Sequence, residues 1–196
     1  MRLAAVLALS IVAAGSAHAA SGDWRADAKP EDVRRLERLD RAWSEALAQA
    51  RAAGYGRQVK ALGAVTDPRV SLSRPQPTPG NYRCRTIKLG SPSGGLPFVA
   101  YGWFRCRVAL TPGGDLVLEK VTGSQRQAGH LYPEASRRLV FLGAVAWGSG
   151  EGSAQYGRDR ERDQVGVFER IGTGRYRLAL PWPRQESKLD LLELRR

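Results

Sequence analysis

Asn81-Tyr82-Arg83-Cys84-Arg85-Thr86-Ile87-Lys88-Leu89 is echoed, beyond a turn at Ser91 to Gly95, by Phe104-Arg105-Cys106-Arg107-Val108. Side chains of two characters alternate in both stretches, which is the period of a β-strand. If the loop around Gly95 folds the two strands back antiparallel, Cys84 comes directly opposite Cys106. The pair is then placed for a cross-strand disulfide, worth about 3 kcal/mol through loop closure. A metal-bound or catalytic thiol would want partners, and neither a C-x-x-C motif nor a set of histidines accompanies the pair. The same alternation gathers Arg83, Arg85, Arg105 and Arg107 on the opposite face. Such a patch is an anion site for phosphate, carboxylate or sulfate, or else a solvated outer wall, or internally paired with Glu119, Glu169 or Asp190.

Downstream, the chain keeps reading as strands. Segments 81–89, 97–110, 116–122, 125–132, 138–147, 163–171, 175–182 and 188–194 are separated by turn signals, among them Thr111-Pro112-Gly113-Gly114-Asp115 and Gly172-Thr173-Gly174. About eight short strands with hairpin connections predict a mainly β protein, a small antiparallel, calycin-like barrel. A sandwich is the alternative. Segments 138–147 and 175–182 are apolar on both faces, so their outer face needs a cover.

The cover is expected upstream. Pro30 suits a first helical position, with Glu31 and Asp32 in the first turn. Val33, Leu36, Leu39, Trp43, Leu47 and Ala50 recur at steps of three and four, one stripe of a long amphipathic helix. Glu37 and Arg41 are spaced to pair, and Gly54 is a natural stop. Residues 55–80, with Asp67-Pro68 and Pro75-Gln76-Pro77-Thr78-Pro79, read as an extended connector.

Arg2, the apolar run from Leu3 to Gly15 and the small residues Ala17 and Ala19 have the layout of a secretory signal peptide cleaved after Ala19. The expected organisation is a signal peptide at 1–19, a helix region at 20–54, a connector at 55–80 and the barrel at 81–196. The expected location is the periplasm or beyond, with no transmembrane segment after cleavage. An oxidising compartment suits the disulfide.

A chain of 196 residues with 42% hydrophobic and 26% charged residues fits one globular domain, not a disordered chain or a multi-span membrane protein. The formal charge of +12 is carried mostly by arginine. Export argues against nucleic acid as the partner; an anionic small molecule, an envelope polyanion or a periplasmic protein is what the charge can meet. The charge could also hold a structural factor to anionic surfaces.

Catalytic signatures do not assemble. There is no G-x-S-x-G, no H-E-x-x-H, no phosphate loop and no G-x-G-x-x-G. His130 stands alone downstream of the leader. Asp159, Glu161 and Asp163 alternate as calcium ligands do, but Gln164 and Arg170 occupy the positions that need Gly and Glu. No catalytic residue, metal site or cofactor is expected.

Several linked blocks carry a resemblance. They include Gly80 to Gly90, Phe104 to Arg107, Gly123-Ser124-Gln125-Arg126, Leu131-Tyr132-Pro133, Phe141-Leu142-Gly143, Glu169-Arg170-Ile171, and Pro181-Trp182-Pro183 with Glu186-Ser187. Together they resemble the bacterial secreted family catalogued as domain of unknown function 4893. The family has no assigned activity, so no catalytic residue comes over with it. The expected function is a non-enzymatic barrel that binds a ligand or a protein. A ligand site would sit at the barrel mouth, with Arg85, Arg105, Gln125 and Arg126 as polar contacts. The alternatives are an envelope enzyme using strand carboxylates and a barrel like the secreted protease inhibitors, presenting 148–162 or the N-terminal tail.

Overall fold

The computed structural model describes residues 22–148 and 150–196. The signal peptide expected at 1–19 and its cleavage after Ala19 fall outside the described residues. Nine strands form one antiparallel sheet: β1 (Gly80–Leu89), β2 (Phe98–Ala100), β3 (Phe104–Leu110), β4 (Leu116–Lys120), β5 (Arg126–Ala135), β6 (Arg138–Ala146), β7 (Asp163–Gly172), β8 (Arg175–Pro181) and β9 (Leu189–Arg195). Neighbours follow chain order from β3 to β9, and β9 pairs back onto β1 along Arg83 to Leu89. Eight strands thus close into a barrel, and β2 lies outside the cycle beside the end of β1. Closure removes the exposed sheet edges that a sandwich keeps. Segment 97–110, expected as one strand, is broken at Tyr101–Trp103, so β1 pairs β3 with its first half and β2 with its second.

The cysteines are bonded, with Cα atoms 5.8 Å apart, in a register two residues away from the one expected. Cys84 faces Phe104 and Cys106 faces Tyr82, so the bridge runs diagonally. A slip of two leaves every side chain on its face, where a slip of one would reverse them all. The arginines therefore remain outside and the disulfide inside.

The inside is mostly filled. Tyr82, Phe141, Phe168, Tyr176, Leu178 and Leu194 pack with the disulfide into one apolar cluster, with the Phe168 and Tyr176 rings stacked at 5.4 Å. Gly143 makes room for the filling. A Cβ there would come within 2.4 Å of the Phe141 ring and 2.3 Å of the Ala128 carbonyl.

Helices cover one side in two patches. α1 (Trp24–Asp27) and α2 (Pro30–Glu37) are followed by α3 (Leu39–Ala50) and, across a wide turn at Arg51–Tyr55, by α4 (Gly56–Ala61). The expected stripe breaks at Arg38, where φ −97° and ψ 19° end α2. Val33 and Leu36 pack with Trp24 on Val140, Leu142 and Val165. Trp43, Leu47 and Ala50 pack on Ile87, Ala179, Leu189 and Leu191. The two doubly apolar segments are covered by these patches. With the break between Glu37 and Arg41, Arg41 pairs instead with Glu45 at 2.6 Å. Gly54 does adopt left-handed φ (88°), but the chain re-enters a helix at Gly56 because Val59 and Val65 still have apolar surface to bury. The connector is extended only after the short helical turn Gly63–Thr66.

Arg177 fastens that connector. Its guanidinium, fully buried on the outer face of β8, donates to the carbonyls of Ala64, Val65, Asp67 and Val70 and to Glu169. It also lies 4.8 Å over the Trp43 ring.

Candidate functional site: the polar mouth of the barrel

Strand alternation lines one end of the barrel with polar side chains. In β1, Tyr82 and Cys84 point inward, and Thr86 and Lys88 follow in phase. In β4, Leu116 and Leu118 point inward, and Lys120 follows. Leu192 and Leu194 of β9 are in phase with Asp190, Phe168 of β7 with Gln164, and Leu131 of β5 with Gln127. Lys88, Lys120, Gln127, Gln164 and Asp190 are all buried. The other end carries Tyr82, Leu131, Leu139, Tyr176 and Leu194. The barrel is therefore an apolar plug with a polar collar.

Above the collar is a cavity of about 250 Å³ lined by Thr86, Lys88, Tyr101, Phe104, Lys120 and Gln125, with Ser124 and Glu186 at its rim. Tyr101, Ser124 and Glu186 are exposed, so it opens to solvent. The two lysines differ. Lys88 Nζ is 2.8 Å from Glu186 and 3.9 Å from Asp190. Burial pulls its pKa down, but the two carboxylates outweigh burial and hold it above the usual lysine value. Lys120 has no carboxylate within 4.0 Å among the described residues. Its ammonium donates to the Gln125 carbonyl at 2.6 Å and sits 4.1 Å over the Phe104 ring. Burial, with Arg126 and Lys88 adding repulsion, lowers it to about 8.

The turn after β4 wraps this ammonium. Gly123 has φ +94°, and a Cβ there would meet both Lys120 Nζ and the Phe104 ring at 3.0 Å. Asp190 accepts a hydrogen bond from Ser187 Oγ, yet burial raises its pKa. The amide oxygens of Gln127 and Gln164 are buried with no hydrogen-bond partner in the protein. A cation without a carboxylate, facing an open cavity, is what a polar ligand with an anionic group would satisfy.

The residues singled out in the sequence lie in three places. Gln125 lines the mouth. Arg126 closes neighbouring loops, donating to the carbonyls of Gly123, Gly148 and Glu151. Arg83, Arg85, Arg105 and Arg107 share the outer wall. Arg85 donates to Glu193 at 2.7 Å and Arg107 to Glu119 at 2.9 Å, while Arg83, Arg85 and Arg195 gather around the Trp103 ring. Glu193 is fully buried; burial would raise it, but hydrogen bonds from Arg175, Arg195 and Arg85 hold it below the usual carboxylate range. His130 is exposed on β5 beside Tyr132. Among the described residues, no three or more His, Cys, Asp or Glu cluster as a metal site would need. No described helix is long and apolar enough to cross a membrane.

Lys120 and Asp190 were legible as inward-facing, each two residues from an inward leucine, Leu118 and Leu192, while Lys88 is in phase with Cys84 only through Thr86. A lysine in a strand is ordinarily assigned to the outside, which hides the signal.

Residues 24–194 match the family described as Domain of unknown function (DUF4893). The match covers most of the chain, and the protein belongs to that family. No curated protein and no solved structure matches the chain.

Proposed function

We propose that this member of the DUF4893 family is an exported, non-enzymatic binding module whose barrel mouth holds a small organic anion. The observation that carries the reading is Lys120, a buried ammonium facing a solvent-open cavity without a carboxylate partner. Leaving a charge so is costly, and a ligand carboxylate is the partner that would offset the cost. A cavity of about 250 Å³ falls just under the roughly 300–1,000 Å³ of sites for drug-sized ligands, so the ligand is small. The disulfide supports an oxidising compartment, consistent with a leader at residues 1–19.

The test is calorimetric titration of the protein with short-chain carboxylic acids and hydroxy acids of graded length, repeated on Lys120→Met. Saturable binding by one size class, lost at least ten-fold in the variant, is expected. Equal binding to both proteins would remove the mouth from the account.

A second reading, an enzyme using strand carboxylates, has one observation behind it. Asp190 is a buried carboxyl with a raised pKa, 3.9 Å from the Lys88 ammonium that lines the cavity, the condition of a general acid. It predicts turnover of an envelope substrate that Asp190→Asn abolishes while ligand binding at Lys120 persists.

A further inference from the structure

On the helical side of the barrel, a groove of about 720 Å³ runs between α2 and the loop joining β8 to β9, the loop whose Glu186 also rims the mouth. Its walls bring together guanidiniums from three separate segments: Arg34, Arg35 and Arg38, then Arg160, then Arg184, with the Trp182 indole among them. Only two carboxylates, Glu31 and Glu37, line it. Glu31 is shared, 2.7 Å from Arg160 and 3.2 Å from Arg184. Arg34 and Arg38 have no carboxylate within 4.0 Å among the described residues.

Arg35 is the unusual member. It is 5% exposed, and its Nη1 is spent on Asp32 at 2.7 Å and on the Asp163 carbonyl at 3.1 Å. Its Nε and Nη2 have no partner in the protein, and neither does Nε of Arg184. Burial, and the nearby Arg184 charge, push its pKa down, while Asp32 opposes the shift. Clustered guanidiniums repel one another, and they are held here by two fixtures. One is the Asp32 network: Tyr156 donates to Asp32 at 2.7 Å, and Lys29 pairs with Asp163 at 2.7 Å. The other is the loop itself, where Trp182 (φ 49°) is left-handed without being glycine. Such backbone persists where its surroundings enforce it, and it clusters at ligand clamps.

We propose that this groove binds a phosphate monoester, the guanidinium forks taking the phosphoryl oxygens and Trp182 flanking the organic group. A dianion with several acceptor oxygens can satisfy forks arriving from different sides, which a monocarboxylate cannot. Arg34 and Arg38, exposed and without a carboxylate, are the forks it would reach first, and the unpartnered donors of Arg35 and Arg184 lie buried in the same lining. The chemistry is shared by soluble phosphate esters and by the monoester headgroups of lipids. This site shares no lining residue with the mouth, and the proposal does not rest on the mouth's function.

The test uses inorganic phosphate, phenyl phosphate and phosphatidylcholine vesicles containing phosphatidic acid. Binding is followed by calorimetry and by the NMR signal of the Trp182 indole N–H, which donates to the Arg38 carbonyl at 3.2 Å. Phenyl phosphate should bind more tightly than inorganic phosphate and shift the Trp182 signal. Arg160→Gln with Arg184→Gln should weaken binding at least ten-fold, while Lys120→Met leaves it unchanged. Arg34→Gln alone, on the exposed face of α2, should weaken it without disturbing the fold. Vesicle binding alone, lost in the same variants, would support the site and assign it to a lipid headgroup. No binding of any of the three probes, or binding that survives the arginine variants, would overturn it.

Discussion

Arg177 and Lys120 are both basic residues in strands, both buried, and their surroundings give them opposite energetic signs. Arg177 is satisfied on all sides by four carbonyls and Glu169. Replacing it with methionine strands those acceptors and should destabilise the protein by about 3–5 kcal/mol, the usual result of removing one partner from a buried pair. Urea denaturation measures it. Lys120 keeps its charge with only a carbonyl and a ring for company. Its folded pKa of about 8 lies below the ordinary 10.5. Below about pH 8 both folded and unfolded chains hold the proton, and the full penalty is present. Between about 8 and 10.5 the unfolded chain keeps a proton that the folded chain has lost, so stability rises with pH. Lys120→Met should therefore be more stable than the parent at pH 7 by about 1–3 kcal/mol. The difference should shrink as the pH climbs through that window in parallel denaturation curves. An equal difference at every pH would contradict the reading.

At the scale of elements, the barrel depends on how closely its strands and filling approach. Gly143→Ala drives a methyl into the Ala128 carbonyl and the Phe141 ring. It should destabilise by about 3 kcal/mol or prevent folding. Gly56→Ala, at the start of α4 with nothing within 4 Å, should change stability by under about 0.5 kcal/mol. A comparable loss in both would mean that crowding is not the cause. The same scale shows what the sequence could reveal. Period-two patterning separated inside from outside in β1 and β3 despite a two-residue difference in register, because faces depend only on parity. The helical stripe was legible but its break at Arg38 was not, since nothing in the run Leu36-Glu37-Arg38-Leu39 forbids a continuous helix. The split of segment 97–110 turns on backbone pairing at Tyr101–Trp103, which side-chain pattern does not encode. The polar mouth was half legible: its phase was present, but a strand lysine reads as exposed until the chain is closed around it. The groove of arginines was not legible at all, because Arg35, Arg160 and Arg184 meet only through the tertiary fold.

For the whole molecule, closure of eight strands and the helical cover account for why a strongly basic chain, formally +12, still folds around one apolar plug. The excess charge sits mainly on the surface, where water screens it. Buried cations break that pattern, among them Arg177, sealed beneath the connector, and Lys120 and Arg35, which line an open cavity and an open groove. The central claim is that the cavity at Lys120 is a ligand site. Native mass spectrometry of the protein purified from a periplasm tests it most directly. The account predicts a non-covalent adduct that leaves on denaturation and is absent from Lys120→Met prepared in the same way. A bare chain in the parent protein, or an adduct carried equally by the variant, would contradict it.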